Sequence, residues 1–169
     1  MNRASKLPLG VLVSGHGTNL QAILDASEDK AYPAEVRIVI SNVASAPALA
    51  RAEKKGIPTA VVSHASFRSR EKFEKALIAK LDGARIQLVI LAGFMRVLSP
   101  YFVHHYQNRI MNIHPALLPS FSGTDAIGQA WRYGAKVTGV TVHFVDEGTD
   151  TGPIILQQGV PIEEGETRE

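Results

Sequence analysis

The sequence contains no cysteine. That excludes disulfide frameworks, thiolate nucleophiles and Cys-ligated zinc, and it fits a reducing compartment. Long hydrophobic runs are missing as well; the longest, LVILAGFM, is far too short to span a bilayer. The N-terminal stretch MNRASKLPLGVLVSG sets Arg3 and Lys6 before an apolar run, as a secretory leader would. That run holds Pro8 and Gly10 and leads into a glycine loop instead of a small-residue cleavage site, so it reads as a strand. Nor is there an excess of one charge. The 18 Lys and Arg residues face 16 Asp and Glu, interspersed as in SREKFEKALIAK, and no polybasic tract marks a nucleic-acid or membrane surface. No His, Asp and Glu grouping has metal-ligand spacing such as HExxH, so no metal is expected. The expectation is a cytoplasmic protein with neither nucleic-acid nor membrane partners.

What is present is the composition of one globular domain. The chain has 169 residues, 45% hydrophobic and 20% charged, and a chain of that length can bury about 70% of its unfolded surface. Strand and helix patterns alternate along it. LGVLVSG reads as a strand and TNLQAILDASEDK as a helix with Leu20, Ile23 and Leu24 on one side. AEVRIVISN is a second strand, SAPALARAEKKG a helix closed by Gly56, and TAVVS a third strand. SREKFEKALIAKLDG carries Phe73, Leu77 and Leu81 at helical spacing, and the nearly all-apolar IQLVILAG suits a strand covered on both faces. SPYFVHHYQ opens with Ser99 and Pro100, fitting an N-cap and first helical position. RIMNIH is a fifth strand, TDAIGQAWRYG a short helix, and KVTGVTVHFV and PIILQQGVPI close the sheet. This is the pattern of a single-domain α/β fold with an open, mostly parallel sheet. In EEGETRE, Thr167 followed by acids looks like the opening of another helix, so the domain over 1–169 is expected to lack a C-terminal helix.

The loop VLVSGHGTNLQ lies between the first strand and the first helix, where backbone amides and a helix N-terminus can hold an anion. A dinucleotide fingerprint would need a third glycine where Leu20 stands and an acid where Ser41 and Asn42 stand, so NAD is disfavoured. No Gly-Lys-Ser/Thr follows, so the loop is not a Walker motif either. A single phosphate, as on a mononucleotide, is one reading. A tight turn with Thr18 or Asn19 acting only as helix N-cap is the other, and spacing alone leaves the two level.

The stretch RIMNIHPALLPSFSG poses the chemical question. In a strand alternate residues share a face, so Asn112 and His114 project side by side, roughly 7 Å apart at Cα. Asp150, in the loop DEGTDTGP before the last strand, supplies a partner. A carboxylate beside an imidazole fixes its tautomer and favours its charged form, and an adjacent amide can donate to a developing oxyanion. With no Ser or Cys nucleophile beside them, these residues suit a substrate that brings its own, such as an amine attacking a carbonyl carbon. Taken singly, Asp146 and Asp150 read as loop aspartates bonding nearby amides. His143, inside TVHFV, reads as a satisfied core histidine, and His104 and His105 as surface or packing residues. Met95, Val97 and Leu98 can line an apolar slot for a flat ring, with Arg96 and Arg70 near an acidic tail; ordinary core plus a solvated arginine is the reading the pattern itself favours.

SGHGTNLQAI, SNVASAPALARA, SREKFEKAL, VILAGFMRVLSP, MNIHPALLPSFSG and TVHFVDEGTDTGPIILQ, in this order and spacing from Leu9 onward, resemble the glycinamide ribonucleotide formyltransferases. These are also called phosphoribosylglycinamide formyltransferases and belong to the wider formyltransferase family. The resemblance implies a Rossmann-like formyltransferase fold with helices on both faces of the sheet. It also implies the third step of purine biosynthesis, in which the formyl group of 10-formyltetrahydrofolate passes to the amine of glycinamide ribonucleotide without a metal. Asn112, His114 and Asp150 match the family's catalytic positions: His114 handling protons, Asn112 steadying the oxyanion, Asp150 holding His114 in its working state. Gly17, Thr18 and Asn19 match the positions that bind the ribonucleotide phosphate. Arg70, Met95, Arg96, Val97 and Leu98, with Asn112, match the folate site, and the main chain from Val145 and Asp146 to Gly148 is expected at the pterin edge. A monomer or homodimer is expected, and the Leu118–Pro119 bond is a candidate for the cis form that tight functional turns sometimes adopt. Two alternatives stand beside it: a formyltetrahydrofolate hydrolase, in which water replaces the amine, and a folate- or nucleotide-binding module without turnover.

Overall fold

The computed structural model describes residues 5–167, which divide between Ile110 and Met111 into two compact units. In the first unit the elements are β1 (Leu7–Val13), α1 (Thr18–Ala26), β2 (Ala34–Ser41), α2 (Pro47–Lys54), β3 (Thr59–Val61), α3 (Arg70–Gly83), β4 (Leu88–Leu91) and α4 (Pro100–His105). Their strands run parallel in the order β3-β2-β1-β4. A parallel sheet covered on both faces calls for continuous apolar strands. Val11, Leu12, Val13, Val39, Ile40 and Val89 are accordingly fully buried. The chain steps from β1 to β2 to β3, then returns past β1 to β4. Right-handed crossovers therefore put α1 and α2 on one face and α3 on the other, and α1 packs on α2 while α3 packs on α4.

Local chemistry sets the helix limits. The helix expected over 18–30 stops at Ala26 because the Ser27 hydroxyl bonds back to the Ile23 carbonyl at 2.7 Å and Asp29 Oδ1 accepts from the Ala31 amide at 2.8 Å. Of its expected apolar face, Leu20 and Leu24 are buried, whereas Ile23 is half-buried. In α3, Ser69 caps the N-terminus by accepting from the Lys72 amide at 3.3 Å, and Phe73, Leu77 and Leu81 are all buried, as their spacing predicts. Pro100 opens α4 and Ser99 stands at its N-cap, but the serine side chain makes no capping bond within that helix. Instead the Ser99 amide donates at 2.7 Å to one oxygen of Glu74, and its hydroxyl donates to the other. Glu74 is fully buried on α3, so a carboxylate from one helix faces the N-terminus of the next.

β5 (Ile110–His114), all but its first residue in the second unit, is followed there by α5 (Ala126–Tyr133), β6 (Val137–Phe144) and β7 (Ile154–Pro161). The sheet pairing here is antiparallel, β5 with β6 and β6 with β7. Gly134, at φ 77°, ends α5 in the left-handed conformation that favours glycine. The chain thus has the expected α/β fold with a mostly parallel sheet, the exceptions being the pairings made by β6. The Leu118–Pro119 bond is cis. No described helix is long and apolar enough to cross a membrane. The helix expected to open at Thr167 is not seen among the described residues, and positions 168 and 169 lie outside them.

Candidate active site

The register of the antiparallel strands gathers the polar residues of the second unit. Asn112 lies directly opposite His143, His114 opposite Thr141, and Thr141 opposite Gln157. Residues opposite one another share a face, and alternation along β5 adds Asn112 to His114, so these five side chains occupy one face. Asp150 comes to the same place from the β6–β7 loop. Its Oδ2 lies 3.4 Å from His114 Nδ1, and its Oδ1 lies 3.5 Å from Asn112 Nδ2 and 3.6 Å from His143 Nε2. The His114 side chain is 5% exposed and that of Asp150 12%, so this charge is poorly screened by water.

The loop that carries Asp150 is built by its own polar residues. Asp146 Oδ1 accepts from the Gly148 amide at 3.0 Å and the Thr151 hydroxyl at 2.7 Å. Gly152 is required there, because a Cβ would stand 1.9 Å from the Phe144 carbonyl oxygen. Asp150 itself has φ 57°, an uncommon conformation for a residue with a side chain, and its Oδ2 also accepts from the Gly123 amide at 2.7 Å.

Both nitrogens of His114 are engaged. Nδ1 faces Asp150, and Nε2 lies 2.8 Å from the carbonyl oxygen of Phe121. A carbonyl can only accept, so Nε2 carries a proton. The segment after His114 is anchored from below. Thr141 Oγ1 donates to the Ala116 carbonyl at 2.7 Å and accepts from the Leu118 amide at 3.1 Å. Gln157 Nε2 donates to the Leu118 carbonyl at 2.8 Å and to Thr141 Oγ1 at 3.0 Å. Thr141 is fully buried, so this network leaves the turn little freedom.

In the first unit the glycine loop lies at the carboxyl end of β1, where the strand order reverses between β1 and β4; open α/β sheets bind ligands at such switch points. The N-cap of α1 is Gly17, at φ 74°, not Thr18 or Asn19, which are its first two helical residues and are exposed. No side chain caps this end, so its first amides are left to other partners. A Cβ on Gly17 would lie 2.6 Å from that of Ala48, so glycine alone lets the loop approach α2. Ser14 joins this loop to the one after β4: its amide donates to the Gly93 carbonyl at 3.2 Å and its hydroxyl accepts from the Met95 amide at 2.8 Å. The same hydroxyl donates to Asn42 Oδ1 at 2.6 Å, which occupies the end of β2 where a dinucleotide site would need an acid.

Met95 is 71% exposed and Val97 63%, with Arg96 exposed between them, whereas Leu98 is buried with the core. Adjacent exposed apolar side chains on a loop pinned by Ser14 are not ordinary core, and they suit a surface that meets a ligand. Arg70 is exposed at the first position of α3, and Val145 and Asp146 are half-buried after β6.

His143 reads from the sequence as a satisfied core histidine, and the structure gives it a further place in the site. It is 2% exposed and bonded as a core histidine should be, but its partners include Asn112 and it lies beside Asp150. Only the strand register, which brings positions 31 apart into contact, reveals this. Among the described residues no group of three or more His, Cys, Asp or Glu is placed to hold a metal ion.

The family described as formyl transferase matches residues 9–169. The phosphoribosylglycinamide formyltransferase of Escherichia coli (strain K12) is 45% identical over 159 residues, 94% of this chain and 75% of that protein. The human trifunctional purine biosynthetic protein adenosine-3 is 47% identical over 162 residues, 96% of this chain, which spans only 16% of the human protein's length. The crystal structure of glycinamide ribonucleotide transformylase 1 from Symbiobacterium toebii superposes with a TM-score of 0.95 at 46% identity, covering 98% of this chain and 78% of that one.

Proposed function

The chain belongs to the formyl transferase family, and from that premise we propose that it transfers the formyl group of 10-formyltetrahydrofolate to the amine of glycinamide ribonucleotide, in de novo purine biosynthesis. The observation that carries this reading is the convergence of Asn112, His114 and Asp150 on one buried polar face. The attacking amine belongs to the substrate, so the protein has to supply hydrogen bonds and a proton carrier, which these residues can do. The amine attacks the formyl carbon, and the carbonyl oxygen gains charge as a tetrahedral centre forms. An Asn112 N–H and the His114 N–H are the donors for that oxygen. The amine gives up a proton as the folate nitrogen leaves, and that nitrogen must gain one; His114, with Asp150 behind it, is the carrier. The Nε2 proton is held by the Phe121 carbonyl at 2.8 Å, so that bond has to yield to substrate.

The uncapped amides of α1 at Gly17, Thr18 and Asn19 would receive the ribonucleotide phosphate. Met95, Arg96 and Val97, with Leu98 behind them and Arg70 on α3, would receive the folate, its pterin edge bonding the main chain at Val145 and Asp146. The reading places a monomer or homodimer in the cytoplasm. Substitution of His114 by Ala tests it. Binding of a stable deaza analogue of the folate should survive, and transfer should fall by about 10²- to 10⁴-fold. Transfer close to the wild-type rate would remove His114 from the chemistry.

A further inference from the structure

Resting on the transfer chemistry just proposed, we infer that His143 is a positioning residue: its Nε2 accepts from the Asn112 amide and so fixes which end of that amide meets the reacting oxygen. The two residues are a cross-strand pair, Asn112 on β5 directly opposite His143 on β6. The tautomer follows from the surroundings. His143 Nδ1 lies 2.8 Å from the Phe144 carbonyl oxygen, which can only accept, so Nδ1 carries the proton. In the neutral ring Nε2 then offers a lone pair, and Asn112 Nδ2 is 3.2 Å from it.

The consequence falls on Asn112. With its NH2 toward His143, one hydrogen is committed there, and the other points at Asp150 Oδ1 across 3.5 Å, at the limit of a hydrogen bond. That weak contact is the one a developing oxyanion can take over. Turned the other way, the Asn112 carbonyl oxygen would meet a lone pair and a carboxylate oxygen, both repulsive. His143 thus selects the donating orientation before substrate arrives, the kind of preorganisation that makes a donor effective. A break in the β6–β7 register between Val142 and His143 adjusts the strand at this point, as bulges beside active sites do. His143 is 2% exposed and need not touch substrate to act.

Two measurements test this. Long-range proton–nitrogen correlation spectra of wild-type protein labelled with 15N-histidine should show His143 with Nδ1 protonated and Nε2 an unprotonated acceptor. A protonated Nε2 would overturn the proposal. This readout needs no turnover, so it stands even if wild-type protein fails to transfer formyl groups, a result that would sink the functional reading instead. Kinetics supply the second. His143→Leu should lower kcat by up to about 10²-fold with KM for both substrates unchanged, and His143→Gln, whose carbonyl oxygen can accept from Asn112, should recover most of that loss. Equal losses in both variants, or none in His143→Leu, would leave His143 a packing residue only.

Discussion

Oδ2 of Asp150 lies 3.4 Å from Nδ1 of His114, with both side chains nearly sealed from solvent. At that distance the carboxylate is placed to accept from this nitrogen and to hold the imidazole ring in one orientation. Replacing Asp150 by Asn removes the charge and keeps an acceptor for the Gly123 amide. The expected result is a kcat lower by roughly 10²-fold or more, with a melting temperature close to wild type. A large loss of stability with kcat preserved would make Asp150 a loop-building residue alone.

Gly17 offers a test of the phosphate loop. An alanine there meets Ala48 Cβ at 2.6 Å and must hold φ near 74°; the conformation alone costs about 1–2 kcal/mol. The variant should melt earlier and show a raised KM for the ribonucleotide, with KM for the folate little changed. Equal effects on both KM values would argue against a loop dedicated to the nucleotide.

Val97 separates ligand binding from folding. Being 63% exposed, it contributes little to the core. Val97→Ser should leave the melting temperature within a degree or so, since exposed substitutions cost within about 0.5 kcal/mol. Folate-analogue binding, measured by calorimetry, should weaken. Unchanged affinity would remove this loop from the folate site.

Much of the fold and of the site is legible in the sequence. The alternation of strand and helix, the buried Phe73, Leu77 and Leu81, and the glycine after α2 all follow from local periodicity and backbone preference. Asn112 and His114 share a face because a strand has period two. What stayed hidden depends on contacts distant in sequence. Ser99 looked like a helix cap, but its hydroxyl is taken by Glu74, 25 residues away. His143 looked like core because nothing local gives the register that sets it against Asn112. Thr18 and Asn19 looked like caps because the approach of Gly17 to Ala48 is a tertiary fact.

Tyr106 predicts a pH dependence. Its phenol is buried, and burial, with the hydrogen bond to Asp82 Oδ1 at 2.7 Å and the charge of that carboxylate, pushes its pKa up. The unfolded chain releases this proton near pH 10, where the folded protein keeps it. Stability from this group is therefore complete below about pH 10 and declines above it, by up to about 1.4 kcal/mol per pH unit. Urea unfolding at pH 9 and pH 11 should show the decline, and Tyr106→Phe should reduce it. An identical pH slope in the variant would contradict the assignment.

On the proposed function the amine acceptor is glycinamide ribonucleotide. The most direct measurement follows the absorbance of deformylated folate when the protein meets 10-formyltetrahydrofolate with and without that ribonucleotide. The signal should require the ribonucleotide and match it mole for mole. Folate deformylated at the same rate without the ribonucleotide would make water the acceptor and the protein a hydrolase.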